Sequence, residues 1–372
     1  MNVKRRSLLL GALSTPAWPQ AVTPAAGDPE AQVTRRNDAY GEELEKYFRG
    51  VLVDKYPERA AAAWNRSYES ASAFLASVET NRKRYRRMFA PPDFKPVAPV
   101  ERRPSKLVSD IKAEWLSISL GPLKAEGLFV VPANVSGRVP LVIAQHGIGS
   151  FPERVFGVAD EGQPYKDYGH ALVKAGFAVL APFNLRVIKN RNRIERLARL
   201  ADTTLPGIEF RRMQVLLDEV LQDKRINPDR IGMWGISLGG MATMFWMPLE
   251  RRIRCGIVTA WFNHRRNKMV IPDKRYTCFL ETTEEHAFFR GWLTEFTDSD
   301  VASLICPRPL MIQHGKKDRI AWWPQVIEEF DAAKEHYRKL NIAERIEFDL
   351  HEGVHEIDLE PGLAFLKKWL RA

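Results

Sequence analysis

Residues 231–240, which read IGMWGISLGG, decide the fold that this sequence predicts. The apolar run 231–234 is typical of a short strand that is covered on both faces. Ser237 follows it in a Gly-x-Ser-x-Gly pattern, and a helix is predicted to begin directly after the pattern. At so sharp a turn, Cβ atoms at Gly235 and Gly239 would collide with the neighbouring strand or helix. The segment therefore predicts a strand, a strained turn that lifts the serine hydroxyl above the sheet, and a helix.

Strands and helices alternate along the chain on both sides of this segment. Two segments with period-two patterning, 111–119 and 123–131, predict strands joined by a Gly-Pro turn. The further predicted strands are 140–144, 178–182, 255–260, 309–313 and 345–350, and the further predicted helices are 168–175, 208–223, 324–340 and 361–371. A charged loop is expected at 186–205 and an irregular insertion at 262–300. The alternation indicates the α/β class, with a mainly parallel central sheet flanked by helices.

The composition excludes several classes of protein. The 372 residues are 45% hydrophobic, which is enough for a large buried core and excludes a disordered chain. The formal net charge is +10, but the basic residues are interleaved with acidic ones, so no nucleic-acid partner is predicted. No run of about 18 apolar residues occurs, so no membrane-spanning helix is predicted. The three cysteines lack CxxC spacing and no His/Cys cluster has metal-ligand spacing, so no metal is expected.

Residues 1–27 have the order of an export signal. Basic residues at 4–6 precede an apolar stretch at 7–13, and small and proline residues follow up to about position 26. The Arg5-Arg6 pair is similar to that of a twin-arginine signal, and an ordinary secretory signal with two chance arginines remains the alternative. Either signal predicts an exported protein, periplasmic or secreted.

The remaining chain is expected to have two parts. Residues 28–104 predict a helical N-terminal extension that ends in a proline-rich linker, because apolar residues recur there at spacings of three and four. A basic tract at 82–87 is interpreted as a solvated helix face. Residues 105–372 predict the α/β domain itself, with 262–300 as an insertion.

Two residues after Ser237 in the chain have the chemistry that a serine nucleophile needs. A serine hydroxyl requires a base, and the base requires a group that fixes its tautomer and orientation. Asp318 follows the predicted strand 309–313, and His355 follows the predicted strand 345–350. The order serine, acid, histidine predicts Ser237 as nucleophile, His355 as base and Asp318 as the acid. The open alternatives are His351 for the base and Glu352, Glu356 or Asp358 for the acid.

Two backbone amides are candidates for holding an oxyanion. The N–H of Leu238, at the start of the predicted helix, faces the position where negative charge develops. The segment His146-Gly147-Ile148-Gly149 follows the predicted strand 140–144 and would supply the second amide. Ile148 is the first choice for this donor and Gly149 the second, while the side chain of His146 is expected to brace the loop.

Candidate residues of the substrate pocket are predicted from their positions just after the ends of predicted strands. The candidate pocket residues are His146, Trp261, His264, Trp322 and Trp323. The last two follow Asp318 and could equally belong to the core. Arg265, Arg266 and Lys268 could meet an anionic substrate such as an acidic sugar, and a solvated loop is the alternative interpretation.

These motifs together resemble the α/β-hydrolase superfamily, and within it the dienelactone hydrolase-like and acetyl xylan esterase-like branch. The resemblance covers 105–372 well and 36–104 loosely. It implies ester hydrolysis through an acyl-enzyme on Ser237 with no cofactor, acting on an acetylated or otherwise esterified carbohydrate or small ester. One departure is the nucleophile, since the dienelactone hydrolases proper use cysteine, which favours an ester substrate here. Another is Phe183-Asn184, where a strand-end aspartate is usual.

Two alternatives to a serine carboxylesterase remain at the level of the sequence. One is a serine peptidase of the same fold, against which the absence of a propeller or a large cap domain counts. The other is a non-catalytic carbohydrate-binding relative, against which the intact order of the three candidate residues counts.

Overall fold

A central sheet organises the structure, a computed structural model that describes residues 28–133, 137–162 and 164–371. Within these residues the sheet has nine strands. They are β1 (Glu101–Pro104), β2 (Ala113–Ser119), β3 (Lys124–Val130), β4 (Val139–Gln145), β5 (Ala178–Pro182), β6 (Ile226–Ile236), β7 (Ile253–Thr259), β8 (Leu310–Gly315) and β9 (Ile346–His351). The predicted export signal, 1–27, lies outside the described residues.

Most of the sheet is parallel. The strand order is β1-β2-β3-β5-β4-β6-β7-β8-β9. The pairs from β1 through β3 to β5 are antiparallel, and all pairs from β5 through β4 and β6 to β9 are parallel. Because the carboxyl ends of parallel strands meet at one edge of a sheet, the segments that follow β4, β6, β8 and β9 emerge close together. The predicted mainly parallel sheet flanked by helices is confirmed.

The described residues fall into two units, which divide between Phe48 and Arg49. In the first unit the structure describes α1 (Pro29–Arg49), which ends one residue beyond it. The helices of the second unit are α2 (Tyr56–Ala63), α3 (Ala71–Ser77), α4 (Glu79–Phe89), α5 (Tyr168–Lys174), α6 (Ile188–Leu200), α7 (Leu205–Val220), α8 (Leu238–Trp246), α9 (Arg265–Val270), α10 (Trp292–Glu295), α11 (Asp298–Ile305), α12 (Trp323–Lys339) and α13 (Leu359–Arg371).

Each face of the sheet has its own hydrophobic core, because successive side chains of a strand point to opposite faces. On β4, Leu141 and Ile143 belong to one core, whereas Val142 and Ala144 belong to the other. Side chains of α4, α7, α8, α11 and α12 complete the first core, and those of α5 and α13 complete the second. Both faces of the parallel strands are therefore covered, which explains their continuous apolar runs.

The structure corrects three expectations about secondary structure. The segment 186–205, predicted as a charged loop, contains the helix α6, in which Arg191 and Glu195 are buried. Arg191 forms an ion pair of 2.6 Å with Glu209, so charged side chains face the interior there and no apolar stripe marks the helix. The insertion 262–300, predicted as irregular, contains α9, α10 and the start of α11. The proline-rich linker contains β1, which pairs with β2.

The state of the cysteines and the apolar character of the helices complete the description of the fold. Cys255, Cys278 and Cys306 are buried and unpaired, and burial raises the pKa of Cys306 to about 12. Among the described residues, no helix is both long enough and apolar enough to cross a membrane.

Candidate active site

The turn at Ser237 has the tight geometry that the sequence predicts. Ser237 has φ 58° and ψ −119°, which is strained for a residue with a side chain. A Cβ on Gly235 would lie 2.1 Å from the Gly239 carbonyl oxygen, and one on Gly239 would lie 2.0 Å from the Gln145 carbonyl oxygen. Only glycine fits at both positions, so the ends of β6 and β4 and the first turn of α8 pack directly against one another.

Asp318 and His355 meet at the ends of the adjacent strands β8 and β9. His355 Nδ1 lies 2.7 Å from Asp318 Oδ2, and the amide of Ile320 donates to Asp318 Oδ1 over 2.9 Å. The Asp318 side chain is 1% exposed and that of His355 is 28% exposed. Burial alone would raise the pKa of Asp318, but the hydrogen bond and charge of His355 outweigh it, so the pKa is lowered. The carboxylate therefore stays ionised and fixes the imidazole.

The rival residues have other partners. His351 ends β9, and its Nδ1 accepts the Gly353 amide over 3.2 Å. Glu352 pairs with Lys316, and Glu356 pairs with Lys166 over 2.7 Å. The structure thus brings Asp318 to His355 and directs these alternatives elsewhere. His314, near the end of β8, is buried with neither ring nitrogen hydrogen-bonded within the described residues, and burial lowers its pKa to about 4.

Two backbone amides face the cavity without a partner among the described residues. Leu238 is the first residue of α8, so its N–H has no intrahelical acceptor. In the loop after β4, the Gly147 amide donates to Tyr165 Oη over 2.8 Å and the Gly149 amide donates to the Arg186 carbonyl over 2.9 Å. The Ile148 amide alone is left available in this loop, which favours it over Gly149.

The side chain of His146 supports this loop from within the protein. Its Nδ1 donates to the Gly147 carbonyl over 2.9 Å, and its Nε2 accepts the Asn184 amide over 3.1 Å. Burial lowers the pKa of His146 to about 4, so the ring is neutral and a single tautomer satisfies both bonds. The predicted bracing role fits this geometry, and His146 is not among the residues that line the cavity described next.

One cavity of about 100 Å³ joins the candidate groups. Its lining residues are Ile148, Ser237, Leu238, Ala260, Trp261, Phe262, Asn263, Arg265, Lys268, Thr277, Phe279, Thr282, Glu284, Ile320, Ala321 and His355. The hydroxyl of Ser237, the imidazole of His355 and the two available amides therefore face one space. This arrangement can deliver a nucleophile, a base and an oxyanion site to a single carbonyl group.

Of the predicted pocket residues, only Trp261 lines this cavity. His264 instead caps α9, where its Nδ1 accepts the Asn267 amide. The ring of Trp322 lies under the guanidinium of Arg275, at 3.8 Å, and Trp323 begins α12. His264, Trp322 and Trp323, which the sequence predicts as pocket residues, do not line this cavity.

The insertion 262–300 provides much of the cavity wall. Phe279, Thr282 and Glu284 line the cavity, and no periodicity in the sequence singles them out. Arg265 also lines it, but its guanidinium forms a fully buried ion pair of 2.7 Å with Asp298. Asn263, which is 2% exposed, also lines the cavity, and its backbone amide donates to Asp298 Oδ2 over 2.9 Å. In the described part of the chain, no three His, Cys, Asp or Glu side chains are grouped as a metal ion would require.

Comparisons with known proteins agree with this fold. The profile of the prolyl oligopeptidase family matches residues 189–355, a segment that includes Ser237, Asp318 and His355. YtaP of Bacillus subtilis (strain 168), a hydrolase by name, is 26% identical over 254 residues, which are 65% of this chain and 82% of YtaP. These similarities support a hydrolase.

Solved structures share the architecture at low sequence identity. A protein from Bacteroides fragilis that is named as an acetyl xylan esterase is 16% identical, with a TM-score of 0.65, over 82% of this chain and 81% of its own. A glucuronoyl esterase from Solibacter usitatus is 14% identical, with a TM-score of 0.61, over 81% of this chain and 94% of its own. The chain has the α/β-hydrolase fold, as its sequence predicts.

Proposed function

We propose that this α/β-hydrolase is a serine-dependent carboxylic ester hydrolase that works through an acyl-enzyme on Ser237. The observation that carries the proposal is the shared cavity, which Ser237, the Asp318-bound His355 and the amides of Ile148 and Leu238 all reach. These groups supply every role that acyl transfer from an ester requires without any cofactor.

In the proposed first step, Ser237 Oγ attacks the ester carbonyl carbon while His355 Nε2 takes the hydroxyl proton. The carbonyl oxygen becomes an oxyanion, which the Ile148 and Leu238 amides stabilise by about 2.7–4 kcal/mol each. The tetrahedral intermediate expels the alcohol, which receives the proton from His355. In the second step His355 takes a proton from water and the water oxygen attacks the acyl carbon. The bond from the acyl carbon to Ser237 Oγ then breaks, His355 returns the proton to Oγ, and the carboxylic acid is released.

The proposed substrate is an acetylated or otherwise esterified carbohydrate or small ester. The cavity of about 100 Å³ has room for an acyl group of a few heavy atoms. The polar side chains of Asn263 and Glu284, which line the cavity, are candidates for hydrogen bonds to hydroxyl groups of the alcohol. The printed names of the structural relatives, acetyl xylan esterase and glucuronoyl esterase, point in the same direction.

A serine peptidase is the second candidate, because the matching family profile is that of the prolyl oligopeptidases. The printed names of the structural relatives, an acetyl xylan esterase and a glucuronoyl esterase, favour the esterase. Hydrolysis of acetylated sugars compared with peptide amides distinguishes the two candidates.

We also propose the molecular context of this activity. Residues 1–27 would direct export through a twin-arginine or general secretory route, residues 28–104 would form a helical extension, and residues 105–372 would form the catalytic domain. Comparing the N-terminus of protein recovered from the periplasm or medium with that of the cytoplasmic form tests the export step.

The decisive test is hydrolysis of p-nitrophenyl acetate by the wild type and by Ser237→Ala. We expect a loss of at least about a thousandfold in kcat, because removing the nucleophile removes covalent catalysis. Ser72→Ala, an exposed serine on α3, is the matched control and should retain the wild-type rate. Labelling by a fluorophosphonate should occur in the wild type and in Ser72→Ala only. Equal rates in Ser237→Ala and the wild type would remove Ser237 from the mechanism and favour a non-catalytic role.

A further inference from the structure

A buried lysine, Lys268 of α9, lies in the wall of the cavity and is 3% exposed. Its ammonium donates to the carbonyls of Thr277 and Ile320 and, over 2.6 Å, to Thr277 Oγ1. An ammonium has three protons, so these three acceptors leave none for a substrate. This geometry excludes Lys268 as a receptor for an anionic substrate and shows that its contacts lie within the protein.

One of these contacts reaches the loop that carries the proposed catalytic acid. The carbonyl of Ile320 accepts from Lys268 and also from the Thr277 amide over 3.1 Å. The amide of the same residue, Ile320, donates to Asp318 Oδ1 over 2.9 Å, and Asp318 Oδ2 is bonded to His355. A continuous set of hydrogen bonds therefore links Lys268 through Ile320 to Asp318 and His355.

The charges around Lys268 also bear on its role. Burial and the charge of Arg265 lower the pKa of Lys268 to about 7, whereas Asp318 and Glu284 favour the charged form. Arg265 is itself neutralised by Asp298. The protonated form is the one that can donate to all three acceptors, because neutral lysine has only two N–H bonds.

We propose that Lys268 is a positioning residue that holds the loop after Asp318 so that this carboxylate keeps His355 oriented for catalysis. The proposal rests on the proposed esterase function of Ser237. It assigns the insertion a role in acid positioning in addition to its role as a cavity wall. Loss of the ammonium should allow the backbone on both sides of Ile320 to shift, because its carbonyl would keep only its bonds to Thr277. Its amide, which holds Asp318, would then move the carboxylate relative to the imidazole.

The test compares Lys268→Met with Lys274→Met, a matched change at an exposed lysine of the same insertion. Methionine retains most of the apolar volume and removes the donors. For p-nitrophenyl acetate we expect kcat of Lys268→Met to fall about 10- to 100-fold with KM within about threefold of the wild type, because misorientation acts on the chemical step. Lys274→Met should match the wild type. A kcat for Lys268→Met within threefold of the wild type would overturn the proposal.

Chemical rescue separates positioning from packing. In Lys268→Ala the missing atoms correspond to n-propylammonium, so added n-propylammonium should restore at least about tenfold in kcat, whereas n-propanol at the same concentration should not. Equal rescue by both compounds, or rescue by neither, contradicts the need for a charged donor. If neither Lys268 variant folds, Thr277→Val tests the proposal instead. This change removes Oγ1, one of the three acceptors of the ammonium, at an exposed residue. A loss of about threefold or more in kcat supports the proposal, and an unchanged kcat refutes it.

Fluorophosphonate labelling keeps this proposal distinct from the proposed function. If the wild type is not labelled at Ser237, the esterase mechanism fails. If the wild type is labelled and Lys268→Met is labelled and turns over at the wild-type rate, only the positioning role fails.

Discussion

Replacing Asp318 by asparagine tests the orientation of the proposed base with a change of almost no volume. Both partners of the carboxylate are donors, the Ile320 amide at Oδ1 and His355 Nδ1 at Oδ2. Asparagine has one carbonyl oxygen, so it can accept from only one of them. If the oxygen stays on Ile320, the amide NH₂ faces Nδ1 and selects the tautomer that carries its proton on Nε2. An imidazole protonated on Nε2 cannot accept the proton of Ser237.

The expected loss is large because two effects act together. The wrong tautomer and the missing negative charge beside the imidazolium remove about 10⁴-fold in kcat in a serine protease triad. Four powers of ten correspond to about 5.4 kcal/mol of transition-state stabilisation. The lowered pKa of Asp318, which follows from the His355 bond in spite of burial, means that this charge is present at any pH near neutrality. We therefore expect Asp318→Asn to lose about 10³- to 10⁴-fold in kcat for p-nitrophenyl acetate.

The assay pairs turnover with the rate of fluorophosphonate labelling, which reports the nucleophilicity of Ser237. Asp331→Asn, at an exposed acid on α12, is the control and should match the wild type. Thermal unfolding of both variants shows whether the fold is retained. A loss of less than about tenfold in a folded Asp318→Asn, alongside at least a thousandfold loss in His355→Ala, would refute the idea that this carboxylate orients the base.

Two further predictions concern stability. Gly239→Ala should lower Tm by several degrees and abolish fluorophosphonate labelling, because its Cβ would lie 2.0 Å from the Gln145 carbonyl oxygen. Gly41→Ala is the control and should change neither Tm nor labelling, because nothing lies within 4 Å of its Cβ. Burial raises the pKa of Glu329 to about 7 from an ordinary value near 4.5, so its contribution to stability is full below pH 4.5 and is lost as the pH rises through 7. Glu329→Gln should therefore gain up to about 3 kcal/mol in unfolding free energy relative to the wild type between pH 5 and pH 8.5, measured by urea unfolding. Glu328→Gln, at an exposed neighbour, should show no such gain. If the unfolding free energy of Glu329→Gln relative to the wild type also stays constant over this pH range, the pKa of Glu329 is not raised.

The parts of the fold that sequence patterns predicted are those that local sterics decide. The turn at Ser237 needs glycine at 235 and 239 because the backbones around it touch, so the motif and the geometry imply each other. The buried parallel strands are continuous apolar runs because both faces are covered. The register then sets the strand ends level, since Gln145 pairs with Gly235 and Gly315 pairs with His351. Chain order alone could therefore bring Asp318 and His355 to one edge.

Other parts depended on partners far away in the chain. The many charged residues of α6 predict a solvent-exposed loop, whereas Arg191 lies in the interior with Glu209 as its counter-ion. The position of Trp322 and Trp323 after Asp318 predicts that they line the pocket, but neither of them lines the cavity. These two differences could not be foreseen from the sequence. A charged residue fits the surface or, with a counter-ion, the interior, and a tryptophan fits a pocket or the core, so the neighbouring side chains decide.

The cavity and the catalytic groups come from different parts of the chain, and their connection limits how the site can vary. The strand ends hold Ser237 and His355 through backbone pairing, which is insensitive to most side chains. Lys268 bonds the cavity wall from the insertion to the carbonyl of Ile320, and the amide of the same residue bonds Asp318. A substitution that breaks the hydrogen bond between Lys268 and Ile320 would alter both the cavity wall and the position of Asp318. A substitution at Phe279 or Thr282 would alter the wall alone. Changes of substrate preference that preserve catalysis should therefore concentrate at wall positions that do not contact the loop after Asp318.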